Sequence, residues 1–355
     1  MESDLRSLRS FKLVGSDISP ISLDKSKHLR YLEITNSMIQ ALPESLCKLY
    51  MLQTLKVMEC NSLDKLPLDI NKLNSLRNLY LDKQSLMPKG IGHLTSLQTL
   101  PIFSVGTKKG FTIEELGCLS QLRGKMEIQN LDRVTSKSEA IRARRNAKTE
   151  LHELVFVWNR RMRFNQHDES QHKEEVPEGL QPQSNLKSLS IIDYNGSSYP
   201  SWIEGFSCLQ LLKIESCVGL ISIPEVFRKL PSLIVLDITH CYKYNLKSIP
   251  AEWLASLTCL KELRMGPFWQ QLFEFPGLAK IHHLHASLES LTLNGWNKLE
   301  YLPHQMQHLT ALKELVITHF RGVKALPEWL GNLSSLRELN LISCDRLLLP
   351  SVEAM

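Results

Sequence analysis

The chain has 355 residues, of which 22% are charged and 43% hydrophobic, and this balance excludes an intrinsically disordered polypeptide. Its 42 basic and 37 acidic residues leave a net charge of +5, which is too small to predict a nucleic-acid-binding protein. No apolar run approaches the ~18 residues of a membrane-spanning helix and no secretory signal is visible, so we expect an intracellular protein that does not enter a membrane.

One phrase, L-x-x-L-x-L, recurs along nearly the whole chain, and leucine accounts for 63 of its residues. Apolar and polar positions alternate within the phrase, which predicts a strand. The apolar residues that follow are three apart, which predicts a turn and a 3₁₀ or loose helix that returns to the next strand. Full copies begin at Leu29, Leu52, Leu76, Leu97, Leu151, Leu186, Leu209, Leu233, Leu260, Leu288, Leu312 and Leu336, with partial copies at Leu8 and around Met126.

The copies are mostly 21 to 28 residues apart, which is the period of leucine-rich repeats. We therefore predict an α/β solenoid, a leucine-rich-repeat horseshoe with a parallel sheet on its concave face and loops, 3₁₀ turns and short helices on its convex face. In chain order, a partial repeat (1–28) precedes regular repeats (29–134), irregular repeats (135–185) and further regular repeats (186–355), all in one continuous solenoid. The irregular part is expected to contain a helix capped by Ser138 and an exposed loop at 159–175.

Some residues between the strands have predictable structural roles. Pro43, Pro67, Pro303 and Pro327 follow a leucine, and their fixed φ suits the turn across the outer side of a coil. Cys60, Cys217, Cys241 and Cys344 come just after a strand, where a small and partly polar side chain faces the backbone groups of the turn. The eight cysteines form no CxxC pair, so we expect reduced structural thiols.

The sequence shows no sign of an enzyme or of a cofactor or metal site. It contains no catalytic signature of a hydrolase or zinc protease, and the three histidines of 281–285 lack neighbouring cysteines or a carboxylate motif. No phosphate-binding G-x-x-x-x-G-K-[ST] motif occurs, and the segment 106–110 has the wrong spacing for one.

The best candidate binding surface is the strand side of the predicted sheet. The middle residue of each phrase is expected to be exposed there, in a column whose mixed charge suits a protein partner. Aromatic residues beside this column are typical of binding hot spots. The candidate partner-binding residues on this concave face are Tyr31, Glu33, Lys56, Tyr80, Lys213, Asp237, His240, Arg264, Phe268 and Trp269.

Several phrases resemble one family. Lys27–Leu32, Ala41–Leu49 and Leu63–Pro67 are similar to repeats of the leucine-rich-repeat domain of plant intracellular nucleotide-binding immune receptors of the coiled-coil type. The most specific similarity lies in Leu119–Trp158, with its phrases Leu122-Arg123-Gly124 and Leu151-His152-Glu153-Leu154. Such receptors carry a nucleotide-binding module upstream, and this chain has no phosphate-binding loop, so nucleotide switching is not assigned to it.

The resemblance implies a recognition module of plant innate immunity. It would sense a pathogen effector or a guarded host protein through its concave face, and it would restrain the nucleotide-binding module of a longer receptor. The implied compartment is the cytoplasm, and the nucleus is the alternative. Both chain ends suggest a natural polypeptide that continues upstream or a truncated product. The alternative is a free-standing leucine-rich-repeat scaffold or adaptor that binds host signalling proteins.

Overall fold

The structure is a computed structural model that describes residues 7–15, 25–82, 86–143, 148–159, 175–219, 227, 229–241, 253–268 and 272–348. The chain forms two compact units, 1–183 and 184–355. Among the described residues, no helix has the length and apolar character needed to span a bilayer.

The described residues of the first unit form seven strands, and the strand pairs among them are parallel. Strands β1 to β4 form one sheet in chain order, and β5, β6 and β7 pair in chain order as well. Thr99 bridges to Asn78 of β4 just before β5 begins. The strand bounds are Ser10–Val14 (β1), Tyr31–Thr35 (β2), Thr54–Met58 (β3), Asn78–Leu81 (β4), Ile102–Ser104 (β5), Arg123–Gln129 (β6) and Glu150–Val157 (β7).

The second unit contains strands β8 to β14, and each pairs in parallel with the next. Their bounds are Ser188–Ile192 (β8), Leu211–Glu215 (β9), Val235–Thr239 (β10), Glu262–Gly266 (β11), Ser290–Asn294 (β12), Glu314–Thr318 (β13) and Glu338–Ile342 (β14). Each predicted L-x-x-L-x-L phrase, the two partial ones included, coincides with a strand or with the Thr99 bridge. Because the strands are parallel and one repeat apart, the predicted leucine-rich-repeat solenoid is confirmed within each unit.

Short helices connect the strands of successive repeats. The 3₁₀ helices after Pro43, Pro67, Pro303 and Pro327 each begin directly after the proline, whose carbonyl accepts a hydrogen bond from the residue three positions on. This arrangement agrees with the predicted role of these prolines. The 3₁₀ helices are Glu44–Lys48, Leu68–Lys72, Ile91–His93, Ile113–Cys118, Leu131–Arg133, Ser201–Gly205, Ile281–Leu284, His304–His308 and Glu328–Asn332.

Among the described residues, two α-helices, Lys137–Ala143 (α1) and Glu175–Gly179 (α2), lie in the irregular part of the first unit and pack against each other. The predicted helix is present, but the predicted cap is wrong. Ser136 rather than Ser138 caps α1, because the Ser136 hydroxyl accepts a hydrogen bond from the backbone N–H of Glu139 at 3.2 Å. Apart from its ends, the predicted loop at 159–175 falls outside the described residues.

Cysteines fill the inward position after four of the strands, as the sequence predicts. The Cys217 thiol lies 3.5 Å from the carbonyl oxygen of Ile191 in the preceding repeat and 3.4 Å from that of Glu215. Cys60 makes the equivalent contacts with Ile34 and Met58. Each thiol therefore offers a weak donor to two carbonyl groups, and one of the two, that of Met58 or Glu215, also accepts a backbone N–H from Asn36 or Asp193.

The residue before each of these cysteines has a left-handed backbone conformation. Its φ is 56° at Glu59, 55° at Ser216, 59° at His240 and 53° at Ser343. This conformation reverses the chain direction so that the next side chain points inward. The backbone N–H of Ser216 continues the ladder by donating to the carbonyl of Thr239 at 3.0 Å.

Candidate functional site

The outward-facing side chains of the parallel strands form the candidate binding surface, which we call the strand face of each unit. Backbone pairing aligns Lys12, Glu33, Lys56 and Tyr80 in the first unit. It aligns Ser190, Lys213, Asp237, Arg264, Thr292, Val316 and Asn340 in the second. The register therefore reproduces the column of middle residues that the repeat predicts, although Glu33, Ser190 and Asp237 are buried rather than exposed.

In the first unit, Glu33 is the centre of a polar cluster. Its carboxylate contacts the ammonium groups of Lys56 at 3.0 Å and Lys12 at 3.3 Å, and it accepts a hydrogen bond from the Tyr31 hydroxyl at 2.7 Å. The Tyr31 and Lys56 hydrogen bonds lower the pKa of Glu33 to about 2, and the same Tyr31 bond raises the pKa of the phenol. Only 6% of the Glu33 side chain is exposed, so the cluster is a fixed feature of the face.

In the second unit, the corresponding cluster surrounds Asp237. Lys213 and Arg264 flank it on the neighbouring strands, but each pairs with a glutamate of its own strand: Lys213 with Glu215 at 2.7 Å and Arg264 with Glu262 at 2.5 Å. Asp237 accepts a hydrogen bond from the Thr239 hydroxyl at 2.8 Å. The five charged groups of this cluster carry a net charge of −1.

Burial of the Asp237 carboxylate makes its charged form less favourable in the folded state. Its residue is 8% exposed, and desolvation by burial raises its pKa, against the hydrogen bond from Thr239 and the charges of Lys213 and Arg264. Leu236 and Ile238 on the other side of β10 provide the packing of this strand, so the fold has no need of an acid here. A buried acid that folding does not require is a candidate for function.

The remaining predicted residues differ in their surroundings. Tyr80 is half-buried on β4 beside Lys56. His240 directly follows β10, and its left-handed backbone donates an N–H to the carbonyl of Gly266 at 3.2 Å, so it has a structural role at the strand exit. Trp269 lies outside the described residues.

The prediction that Phe268 contacts a partner is wrong, because its side chain is fully buried. It occupies the inward position after β11, which Cys241 fills in the preceding repeat and Trp296 in the following one. Its ring packs edge-on against Phe275 at 5.7 Å, and Phe275 stacks in turn on Trp296 and Phe320. The residue is therefore part of an aromatic core that extends through the repeats of β11, β12 and β13.

Sequence reasoning missed the residues that hold these clusters together. Lys12, Glu215, Thr239 and Glu262 each contact a predicted site residue. All four are outward strand positions, in register with the column or two residues from it. If every outward-facing position of each strand had been considered, instead of the middle one alone, these residues would have been identified.

Comparisons with known proteins agree with the repeat and the fold. The family described as R13L1/DRL21 LRRs matches residues 113–241. Disease resistance RPP13-like protein 1 of Arabidopsis thaliana is 29% identical over 98% of this chain and 39% of its own length. The Solanum bulbocastanum proteins RGA4 and RGA2, both named disease resistance proteins, are 32% identical over 65% and 41% identical over 32% of this chain. This chain spans about a quarter of the first relatives it matches.

Solved structures support the same fold. An internalin from Listeria monocytogenes has a TM-score of 0.63 at 17% identity and covers 94% of this chain and 87% of its own. A leucine-rich-repeat protein of Leptospira interrogans has a TM-score of 0.61 at 20% identity and covers 96% and 83%. At these identities the similarity concerns the fold alone. This chain is similar in sequence to plant disease resistance proteins, and in fold to leucine-rich-repeat proteins of different organisms.

Proposed function

We propose that this chain, a leucine-rich-repeat region of the type found in plant disease resistance proteins, is the protein-recognition module of an immune receptor and not an enzyme. Its partner is a pathogen effector or a guarded host protein, bound on the strand face. In a longer receptor the same region restrains an upstream nucleotide-binding module. The compartment that suits this role is the cytoplasm or the nucleus.

The observation that carries the proposal is the polar cluster of the second unit. Backbone pairing holds Lys213, Asp237 and Arg264 on three neighbouring strands, so their relative positions are set before any partner arrives. Preorganised charged groups in a mixed arrangement favour specific recognition of a protein surface. Burial raises the pKa of Asp237, so the fold itself disfavours the charged form of this acid.

The test is a triple substitution in this cluster, Lys213→Glu, Asp237→Lys and Arg264→Glu. A matched control, Lys324→Glu, Glu328→Lys and Arg346→Glu, makes the same change in net charge at exposed residues outside the strands. Both variants and the parent chain are used as bait in extracts of infected and uninfected plant tissue. Circular dichroism melting checks that all three are folded.

We expect a protein from infected tissue, or a host protein, to be retained by the parent chain and the control and lost with the triple substitution. Equal retention by all three baits would remove the strand face of the second unit as the recognition site. Loss with the control as well as with the triple variant would mean that general charge, and not this cluster, determines capture.

A further inference from the structure

A second charged feature lies at the start of the strands in the first unit, outside the column of middle residues. The residue at the start of each coil's strand, just after the first leucine of the phrase, forms a row that we call the leading row. In the coils of β1 to β6 of the first unit, the leading row is Arg9, Arg30, Gln53, Arg77, Gln98 and Arg123. It contains four arginines, two glutamines and no acidic residue.

Backbone hydrogen bonds hold the leading row in a line. The N–H of Arg30 donates to the carbonyl of Arg9 at 2.8 Å, and the N–H of Gln53 donates to that of Arg30 at 2.8 Å. The same link joins Gln53 to Arg77, Arg77 to Gln98, and Gln98 to Arg123, at 2.7 to 2.9 Å. Because neighbouring strands are about 4.8 Å apart, Arg30, Arg77 and Arg123 recur at intervals of about 10 Å.

The first three arginines of the leading row are not neutralised. Arg9, Arg30 and Arg77 are exposed, and none forms a salt bridge with a carboxylate of the described residues. Two nearby cations of the strand face do have a carboxylate partner: Lys12 and Lys56 both bind Glu33. At the far end, Arg123 donates to the side chain of Gln98 at 2.6 Å and is in register with Glu150 on β7.

The second unit provides an internal comparison. Its leading row is Lys187, Gln210, Ile234, Lys261, Glu289, Lys313 and Arg337, linked by the same backbone pattern. Here an acid is part of the row: Glu289 binds Lys313 at 2.6 Å and Lys261 at 3.3 Å. The two lysines lower the pKa of Glu289, so they are engaged within the protein itself. The second row thus carries a net charge of +3, with one acid bound to two of its lysines, whereas the first row carries +4 and no acid.

We propose that the leading row of the first unit binds an acidic protein segment whose carboxylates are about 9 to 10 Å apart. A polyproline II segment repeats every three residues with a rise of about 3.1 Å per residue, so acids at every third position recur at about 9.3 Å on one side. This spacing matches the interval between Arg30, Arg77 and Arg123. Exposed guanidinium groups bind carboxylates in paired, bidentate geometry.

A protein is the better partner than a nucleic acid on these observations. The cationic positions alternate with glutamines, and Tyr31, Glu33 and Tyr80 occupy the adjacent strand positions. A polyanion with closely spaced phosphates would meet Glu33 and leave the glutamine positions without matched charge. The inference rests on the proposed function only in taking the strand side as the recognition side.

The experiment measures fluorescence anisotropy of the full chain with a labelled peptide of four Glu-Pro-Pro triplets at low ionic strength. Three further probes are the Gln-Pro-Pro peptide, a peptide of the same composition with its four glutamates adjacent, and a single-stranded oligonucleotide. The variant carries Arg30→Gln and Arg77→Gln. Because Gln53 and Gln98 occupy the same row, glutamine is compatible with the repeat at these positions. The control is Lys187→Gln with Arg337→Gln, two exposed cations of the other leading row.

We expect the Glu-Pro-Pro peptide to bind, and the arginine variant to weaken it by about tenfold while the control changes it less than twofold. The Gln-Pro-Pro peptide and the peptide with adjacent glutamates should bind at least several-fold more weakly. Absence of binding, equal loss in both variants, or tighter binding of the oligonucleotide would each overturn the proposal. The triple substitution at Lys213, Asp237 and Arg264 should leave this peptide unaffected, so failure here and failure of the proposed function are distinguishable.

Discussion

Glu33 illustrates how a single outward-facing residue can contribute to the fold. Its folded pKa of about 2 lies below the ordinary value of 4.5, because the carboxylate is bonded by Tyr31, Lys56 and Lys12. A lowered carboxyl pKa contributes stability that is fully present above about pH 4.5 and is lost as the pH falls toward 2.

Glu33→Gln removes this pH-dependent contribution. We expect the urea midpoint of the variant to lie below that of the parent chain above pH 5, and the difference to shrink between about pH 4.5 and 2. Urea titrations of both proteins across this range provide the measurement. A difference that stays constant with pH would show that the carboxylate charge does not stabilise the strand face.

The pKa of Asp237 is shifted in the opposite direction to that of Glu33. Its folded pKa is raised, so its contribution favours the folded state at low pH and becomes less favourable as the pH rises past 3.8. Asp237→Asn keeps an oxygen for the Thr239 hydroxyl and removes the buried charge. We expect the free energy of unfolding at pH 7 to be unchanged or raised by about 1 kcal/mol or less, with partner capture reduced. Clear destabilisation at pH 7 would contradict a functional rather than structural role for the acid.

Seven of the eight cysteines allow the described burial to be tested. Cys118, Cys208 and Cys259 are exposed, whereas Cys47, Cys60, Cys217 and Cys241 are buried. Burial raises the pKa of Cys47 to about 11 and that of Cys241 to about 12, so their thiolates are scarce at neutral pH.

We therefore expect a thiol reagent at pH 8 to modify the three exposed cysteines rapidly and the four buried ones only on unfolding. Mass spectrometry of peptides from partly modified protein identifies the sites, and urea-unfolded protein serves as the control for full reactivity. Rapid modification of Cys217 or Cys60 in the native chain would show that the turn contacts described for them are absent.

At the scale of elements, the turn after β11 depends on Gly266. This residue has φ of +85°, and an added Cβ would collide with the backbone carbonyl oxygen of Asn294 in the next strand. Gly331 lies in a 3₁₀ helix of the same unit and has open space where a Cβ would be.

We expect Gly266→Ala to lower the free energy of unfolding by about 2 to 3 kcal/mol, because it adds both backbone strain and a steric clash. Gly331→Ala, the control, should leave it unchanged or raise it slightly by restricting the unfolded chain. Both are measured by urea unfolding followed by circular dichroism. Similar effects from the two substitutions would be inconsistent with the described turn.

The strands could be predicted from the sequence because each repeat has its leucines at the same spacing, and that spacing alone determines which positions face inward. The same spacing of leucines determines which middle residues align with one another in the column. The burial of Phe268 could not be predicted, since it depends on the turn after Gly266 and on the ring of Phe275, which stacks in turn on Trp296 of the next repeat. The burial of Glu33 likewise depends on Lys12 and Lys56, which lie 21 and 23 residues away.

At the scale of the whole chain, the two units share a repeat but differ in their leading rows. In the first unit's row, Arg9, Arg30 and Arg77 form no salt bridge with a carboxylate of the described residues, and in the second unit's row Glu289 binds two lysines. This difference could be predicted from the sequence if the second positions of all L-x-x-L-x-L phrases were compared. We predict that raising the salt concentration weakens binding of acidic peptides to the parent chain more steeply than to the Arg30→Gln, Arg77→Gln variant, as anisotropy titrations would show.

The central claim is that the strand face is where this chain meets its protein partner. Lysine acylation followed by mass spectrometry tests it without any substitution, by comparing the free chain with the partner complex recovered from tissue. Lys213 lies on the strand face of the second unit, and Lys324 is exposed outside the strands of the same unit. Strong protection of Lys213 with unchanged labelling of Lys324 is the predicted result, and protection of Lys324 with Lys213 still reactive would contradict the account.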